Sequence, residues 1–365
     1  MTQKGVFIAA TGQNVGKTTV CLGLIAGMRQ HHASVGFIKP VGQQHVEVSP
    51  GINVDKDVVL FKEHFNLEAD WEEMSPVIVP NGFTRDYLDG KVNVQAKQER
   101  ILSSYQSISS RNPFTIVEGT GHVGVGSIIG LNNAQVAALL GLDMVIITSA
   151  GLGSSFDELE MNLALCEKYR VHVRGIILNK VKDNKRKMIE DYYPKALKRW
   201  NLPLVGCVPY NEFLAIPTIQ DFENLFNTTL LSGETYRYQH FQHARLVAGS
   251  VESYKKDIIP NELIITPASR EDIILTTLEH HVEQVADGIN FCSGMVLTSQ
   301  HPPSPNILER IRKADLPIIY APVCSYDAMK MITSFTTKIR NEDTQKIERA
   351  INLIESNIQF EKIAY

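Results

Sequence analysis

Short apolar runs alternate with longer segments of helical spacing along the first half of the chain. Val6–Ala10 is a continuous apolar run, and the segment after it repeats apolar residues at Val20, Leu24, Ile25 and Met28. Further apolar runs follow at Val35–Ile38, Phe114–Val117, Met144–Thr148, Gly175–Leu178 and Leu204–Val208. Continuous rather than alternating runs are typical of strands buried on both faces of a parallel sheet. The succession therefore predicts an α/β domain with a doubly wound, mostly parallel sheet.

A second and shorter alternation follows nearer the end of the chain. Apolar runs at Leu263–Thr266, Gly294–Thr298 and Pro317–Tyr320 are separated by helical patterns. The residues between the two alternations have only one short amphipathic stretch. We therefore predict a first domain over 1–215, a linker over 216–260 and a smaller α/β domain over 261–365. The segment Thr344–Ile358 has one apolar helical face, and we expect it to pack on the second domain.

Composition narrows the class of protein. The 365 residues are 44% hydrophobic and 21% charged, with a net charge of −4, which excludes a disordered chain and gives no general attraction to nucleic acid or anionic membranes. The five cysteines form no CxxC pair, as expected for reduced thiols. The first apolar run is too short for a signal peptide core or a membrane span. We therefore expect a cytoplasmic protein.

A phosphate-binding loop is predicted directly after the first apolar run. The general pattern has glycine, four residues, and then Gly-Lys-Ser/Thr; here Thr11 stands at the first glycine position. The glycines let backbone N–H groups face a bound anion at the start of the following helix. Lys17 would bridge the β- and γ-phosphates, and the Thr18 hydroxyl would bind Mg²⁺. The predicted cradle consists of Gly12, Gln13, Asn14, Val15, Gly16, Lys17, Thr18 and Thr19.

Such a loop needs a carboxylate for its metal ion. Glu118 ends an apolar run and is followed by glycines, at the sheet edge where ligands bind; the alternative is a surface glutamate. Asp55 and Asp57 are candidates for a second carboxylate, although aspartates in a polar loop are more often solvated. The sequence leaves open which of the two faces the metal.

Five motifs occur in order along the chain: Thr11–Thr19, Gly36–Val41, Val117–Gly119, Leu178–Val181 and Leu204–Tyr210. Together they resemble dethiobiotin synthetases and the related cobyrinic acid a,c-diamide synthases. A longer glycine-rich segment, Glu118–Ser127, is similar more narrowly to the N-terminal domain of long phosphotransacetylases. The segment Leu263–Leu275 resembles the start of a DRTGG domain, with Ser299-Gln300 where that domain usually has two glycines. The resemblance suggests a free-standing version of that regulatory half.

The resemblance implies roles for particular residues. Lys39 would lie beside the transferred phosphate and the substrate carboxylate, as a second catalytic lysine with Lys17. Asn179, with the neighbouring Lys180, would read adenine, and Pro209 would form a wall of the adenine pocket. The implied cofactors are ATP and Mg²⁺, the metal being held by Thr18, Glu118 and one of Asp55 and Asp57. The related synthetases form homodimers, so a homodimer is expected.

Departures from the synthetase pattern favour a regulatory function. Gln13 and Asn14 stand where synthetases carry Thr followed by an acid, and an amide serves poorly as a base or metal ligand. Gly42–Gln44 replaces small or hydroxylated residues near the diamine substrate. We therefore predict a nucleotide-binding regulatory or sensor protein that also responds to an unidentified small metabolite; slow ATP hydrolysis is compatible with this function. The alternatives are a ligase that activates a carboxylate or carbamate with ATP, and a pseudo-enzyme scaffold.

Overall fold

Six parallel strands form the main sheet of the first of two compact units. This computed structural model describes residues 5–364, and the first unit comprises the residues up to Asn211 and those from Ile339 onward. Its strands are β1 (Gly5–Ala10), β2 (Val35–Ile38), β3 (Val41–Gly42), β4 (His45–Ser49), β5 (Ile52–Asp55), β6 (Val77–Ile78), β7 (Phe114–His122), β8 (Met144–Ser149), β9 (Val173–Val181) and β10 (Leu204–Pro209). The main sheet has the order β10-β9-β8-β1-β7-β2, while β3 pairs with β6 and β4 with β5.

Helices connect these strands, as a parallel sheet requires. Every residue of β1 is buried, because β1 lies between β7 and β8. The helices are α1 (Lys17–Arg29), α2 (Lys56–Phe65), α3 (Trp71–Met74), α4 (Phe83–Leu88), α5 (Val94–Arg111), α6 (Asn133–Leu140), α7 (Ser154–Lys168) and α8 (Asp183–Leu197). The predicted doubly wound, mostly parallel sheet is confirmed.

The second unit, Glu212–Lys338, has a smaller mixed sheet. Its strands are β11 (Leu230–Ser232), β12 (His243–Leu246), β13 (Glu262–Pro267), β14 (Gly294–Thr298) and β15 (Ile318–Ala321), in the order β11-β15-β14-β13-β12 with β11 antiparallel. Ile264 joins one apolar cluster, whereas its neighbours Leu263 and Ile265 join another. Both faces of this sheet are therefore covered. Its helices are α9 (Ile219–Phe226), α10 (Val251–Lys256), α11 (Glu271–Ala286), α12 (Pro305–Ala314) and α13 (Ser325–Thr333).

The predicted linker over 216–260 is wrong. This segment contains α9, β11, β12 and α10, and the two strands are the edges of the second sheet. Phe222 of α9 is buried in the core of this unit, which the few apolar residues of the segment make possible. The segment is therefore part of the folded second unit. Its polar composition reflects edge strands and half-exposed helices.

The expected packing of the C-terminal helix is also wrong. Helix α14 (Thr344–Glu355) and the short α15 (Glu361–Ala364) belong to the first unit, where α14 packs along α1. A Cβ added at Gly23 would lie 2.2 Å from Cβ of Ile354, and one added at Gly27 would lie 2.3 Å from the Phe360 ring. Two glycines one turn apart on α1 thus admit the bulky residues of the C-terminal segment. Within residues 5–364, no helix is long and apolar enough to cross a membrane.

Candidate functional site

The predicted phosphate cradle runs from the end of β1 into the first turn of α1. Gly16 is the N-cap of α1 with φ 107°, and no side chain caps the helix start. Asn14 also has a left-handed backbone, with φ 56°. The first N–H groups of an α-helix have no partner within the helix, so this uncapped start offers donors and a favourable dipole to an anion.

Asn179 and Lys180, at the end of β9, hold this loop from the side. The Asn179 amide nitrogen donates to the Val15 carbonyl at 2.8 Å, and its oxygen accepts from the Lys180 N–H at 2.9 Å. The Lys180 ammonium donates to the Asn14 carbonyl at 2.7 Å. A Cβ on Gly16 would lie 2.2 Å from the Asn179 amide nitrogen, which explains the glycine.

These contacts give Asn179 a role that the sequence did not suggest. Both polar ends of its amide are engaged within the protein, and the side chain is 4% exposed. Pro209 lies beside Val181 on the neighbouring strand, so the structure places it near the end of β9 as well. The adenine-reading role of Asn179 and the wall role of Pro209 stay predictions.

Glu118, in β7, meets the start of α1 at the same edge of the sheet. The Thr18 hydroxyl donates to Glu118 Oε1 at 3.2 Å. Burial raises the pKa of Glu118 to about 7. Its second oxygen, Oε2, is buried and has no hydrogen-bond partner among residues 5–364. An unmatched buried carboxylate oxygen beside a hydroxyl fits a hard cation such as Mg²⁺, which prefers oxygen ligands.

Lys17 begins α1 but turns toward the glycine-rich loop after Glu118. Its ammonium donates to the Gly121 carbonyl at 2.9 Å. Burial lowers the pKa of Lys17, and the Glu118 carboxylate opposes that shift. The Gly121 carbonyl therefore accepts one of the three N–H groups of the Lys17 ammonium.

Lys39, buried just after β2, forms ion pairs with both candidate aspartates. Its ammonium lies 2.9 Å from Asp55 Oδ1, forms a short ion pair with Asp57 and lies 4.0 Å from Glu118 Oε1. Burial alone would lower the pKa of Lys39, but Asp57, Glu118 and Asp55 together raise it well above its usual value. The structure therefore brings Asp55 and Asp57 to one cation that the protein itself supplies.

The loop geometry explains how two aspartates so close in sequence converge. Asp55 is the N-cap of α2 and accepts the Asp57 N–H at 3.0 Å. Its other oxygen accepts the N–H groups of Gln43 and Gln44 at 3.1 and 3.3 Å. Asp55 is therefore bound to the backbone on two sides, and Asp57 follows it in the first turn of the helix.

Sequence reasoning missed two buried asparagines that shape the glycine-rich loop. Asn133 accepts the Thr120 N–H at 3.1 Å and donates to the carbonyls of Thr120 and His122 at 2.9 and 2.8 Å. Asn162 accepts the Val123 N–H at 2.9 Å. An asparagine before or within an apolar helical pattern was the available signal, but it equally suggests a helix cap.

The described side chains do not by themselves form a metal-binding cluster. Across the described part of the chain, no group of three or more His, Cys, Asp or Glu side chains could hold a metal ion.

Two family models match the chain. A model described as an AAA domain matches residues 4–218, and a DRTGG domain matches residues 223–335. The chain belongs to the AAA-domain family. The DRTGG match covers most of the second unit, so the resemblance noted from the sequence is confirmed for both parts.

The proteins that this chain matches are of two kinds. A phosphate acetyltransferase of Pseudomonas aeruginosa is 26% identical over 373 residues, which cover 97% of this chain and 51% of the relative. An ATP-dependent dethiobiotin synthetase of Methanocaldococcus jannaschii is 27% identical over 232 residues, covering 60% of this chain and 99% of the relative. The chain spans about half the length of the phosphate acetyltransferases it matches, and it is homologous to their N-terminal half.

Solved structures resemble this chain more distantly. The MinC:MinD cell division protein complex of Aquifex aeolicus is 14% identical, with a TM-score of 0.36, and the match covers 58% of this chain and 84% of that chain.

Proposed function

We propose that this protein binds ATP with Mg²⁺ in its AAA domain and acts as a regulatory or sensor protein. The observation that carries the proposal is the meeting of an uncapped helix start at Gly16 with the Thr18–Glu118 pair at the sheet edge. The first feature suits a phosphate group, and the second suits its metal ion. One relative is an ATP-dependent dethiobiotin synthetase, which supports ATP as the nucleotide.

The residues divide the work of holding the nucleotide. The backbone N–H groups of Gly12–Thr19 would bind phosphate oxygens, with Lys17 as their side-chain cation. Thr18 and Glu118 would hold Mg²⁺, which supplies positive charge against the phosphates when bound. Asn179 and Lys180 would keep the loop in the shape that presents these groups, because they fix the Asn14 and Val15 carbonyls.

Lys39 supports a regulatory role over an enzymatic one. A lysine that positions a reacting acyl phosphate needs an ammonium group free to meet it. Here Asp55 and Asp57 already pair with the Lys39 ammonium, and the Lys39 residue is only 6% exposed. The pairing of Lys39 within the protein therefore supports nucleotide binding without a second, reacting substrate.

Calorimetry with ATP and Mg²⁺ tests the proposal. We expect micromolar binding by the intact chain and at least a tenfold loss, about 1.4 kcal/mol, in Lys17→Ala. Lys182→Ala is the matched control, since Lys182 is an exposed lysine just after β9 and should bind like the wild type. An intact chain that takes up neither ATP nor GTP in the presence of Mg²⁺ would contradict the proposal.

An ATP-dependent ligase is the second candidate, favoured by the full-length match of the dethiobiotin synthetase. This function predicts ADP release that a diamine or dicarboxylate stimulates. ATP binding without such stimulation across a broad metabolite panel would leave the regulatory proposal standing and remove the ligase.

We also propose that the protein forms a homodimer, because the synthetases it resembles form homodimers. Light scattering should then give twice the chain mass of 40.8 kDa.

A further inference from the structure

A cavity of about 230 Å³ opens within the second unit, and none of the residues assigned above lines it. Helix α11 contributes His281 and Val285, and the segment that leads into β14 contributes six further residues of the lining. The lining residues carry no carboxylate, ammonium or guanidinium group: they are Tyr236, Gln239, His281, Val285, Gly288, Ile289, Asn290, Phe291, Cys292, Ser293 and Pro317.

Flat and apolar groups make up much of this wall. The lining includes the aromatic residues Tyr236, His281 and Phe291, together with Pro317 and Ile289. The Phe291 ring packs edge-on against His280, with ring centroids 4.7 Å apart, so its position is fixed by the helix. Burial lowers the pKa of His281, which keeps its imidazole neutral near pH 7.

Amide and hydroxyl groups give the same cavity its polar edge. The Gln239 amide nitrogen donates to the Ser293 carbonyl at 3.4 Å, and the Cys292 thiol donates to Asn290 Oδ1 at 2.9 Å. Each of the two amides has two N–H donors and an oxygen with two lone pairs, so capacity beyond these single bonds is present. Amides of this kind match a ligand edge that carries a donor beside an acceptor.

The loop that forms the wall is held in an uncommon backbone conformation. Cys292 has φ 55° and Gly288 has φ 72°. The Ile289 N–H donates to the Gln284 carbonyl at 2.9 Å, and the Asn261 N–H donates to the Phe291 carbonyl at 3.1 Å. A left-handed non-glycine residue persists where its surroundings enforce it, and such residues are enriched at ligand sites. These hydrogen bonds hold the loop that lines the cavity.

We infer that this cavity binds one small, uncharged, planar ring compound with an amide-like hydrogen-bonding edge. Its volume falls below the roughly 300–1,000 Å³ of sites for drug-sized ligands, so it suits a single ring system such as a nucleobase or nicotinamide. A charged ligand is disfavoured because the lining offers no opposite charge to offset desolvation. The inference does not depend on nucleotide binding in the AAA domain.

Alkylation of cysteines in the intact chain tests the inference. Cys292 lines the cavity, whereas Cys324 is exposed elsewhere in the same unit and serves as an internal control. The probes are adenine, hypoxanthine, uracil and nicotinamide, each titrated up to about 1 mM, the weak limit for so small a ligand. We expect at least one probe to slow alkylation of Cys292 at least threefold, read by mass spectrometry, without slowing that of Cys324.

Matched variants then assign the protection to the cavity. Asn290→Leu and Gln239→Leu should each lower the affinity for the protecting probe about tenfold. Protection in each variant is measured relative to the alkylation rate of the same variant without ligand. Val282→Asn changes an exposed neighbour on α11 that does not line the cavity, and it should protect like the wild type. Lys17→Ala should also leave the protection unchanged, which separates this result from the fate of the nucleotide proposal.

Two results would overturn the inference. One is that no probe slows alkylation of Cys292. The other is that protection stays equally strong in both leucine variants, because the ring compound would then bind elsewhere.

Discussion

The two units both place helices after parallel strands, yet their helices begin differently. In the first unit α1 starts from Gly16, and no side chain caps it. In the second unit Ser304 and Cys324 cap α12 and α13, with their side chains accepting the N–H groups of Ile307 and Asp327. A parallel sheet alone therefore does not make an anion site. Helix α11 of the second unit also starts without a side-chain cap, but its first turn carries Glu271 and Asp272, whereas the first turn of α1 carries no acidic residue. What distinguishes α1 is an uncapped start without acidic side chains, which leaves its N–H donors open to an anion.

The two sheets also differ in the charge at their carboxyl edges. The carboxyl edge of the first sheet collects Lys39, Asp55, Asp57 and Glu118. At the corresponding edge of the second sheet, the Thr298 and Ser325 hydroxyls bond to each other at 2.6 Å. Neutral partners satisfy one another there, whereas the charges of the first unit leave Glu118 Oε2 without a hydrogen-bond partner among the described residues.

Closing the open helix start should have the largest effect. Gly16→Ala puts a Cβ at 2.2 Å from the Asn179 amide nitrogen and forces a side chain into a left-handed backbone. We expect the affinity for ATP with Mg²⁺ to fall about 100-fold, or about 2.8 kcal/mol, in calorimetry. Gly153→Ala is the control, since its added Cβ meets no described atom within 4 Å. Equal affinities in the two variants would refute the importance of the open start.

Disturbing the contact between α1 and the C-terminal segment should come next. Gly23→Val forces side-chain atoms into Ile354, so we expect the free energy of unfolding in urea to fall by about 2 kcal/mol. In the second unit, Gly249→Ala adds a Cβ to open space and should change that free energy by less than about 0.5 kcal/mol. A matching loss in both variants would show that the tight glycine contact is not the cause.

Removing Asn133 tests whether the glycine-rich loop needs its internal support. Asn133→Ala loses three hydrogen bonds and leaves buried backbone groups unmatched, so stability should fall by about 1.5 kcal/mol. Asn224→Ala, on the exposed surface of α9, loses a single bond and should cost less than about 0.5 kcal/mol. Chemical denaturation of the two variants makes the comparison, and an Asn133→Ala protein as stable as the Asn224→Ala protein would be the contrary outcome.

The smallest effect should come from uncapping a helix in the second unit. Ser304→Ala removes the side-chain cap of α12 and should lower the free energy of unfolding by about 1 kcal/mol without changing the affinity for ATP. Ser304→Thr keeps a capping hydroxyl and should recover most of the loss. A change in ATP affinity in Ser304→Ala would break the proposed separation of roles between the units.

Local sequence signals predicted all six strands of the main sheet and the three central strands of the second sheet, but not its edge strands β11 and β12. The apolar runs Val6–Ala10 and Met144–Thr148 became Gly5–Ala10 and Met144–Ser149, because a strand buried on both faces must be apolar throughout. The loop motif likewise predicted that Lys17 and Thr18 would begin a helix at the sheet edge. These features depend on neighbours in the sequence, so the sequence displays them directly.

Contacts between distant segments were harder to predict. The apolar face of α14 indicated that this helix packs against something, but only Gly23 and Gly27, on another helix, indicate where. The pairing of Lys39 with both aspartates depends on the N-cap at Asp55, which periodicity does not reveal. Asn179 was assigned to adenine by resemblance, although its amide also supports the loop. In each case the missing information was a spatial partner more than fifteen residues away.

The discontinuity of the first unit has a consequence for synthesis of the chain. Residues from Ile339 onward complete that unit, and Ile354 fills the space over Gly23. A ribosome therefore releases the whole of Glu212–Lys338 before the unit begun earlier can finish its packing. Domains generally fold as units as they emerge. Here the second unit can reach its native state first, and α1 gains its last neighbour only after Glu212–Lys338 has been synthesised.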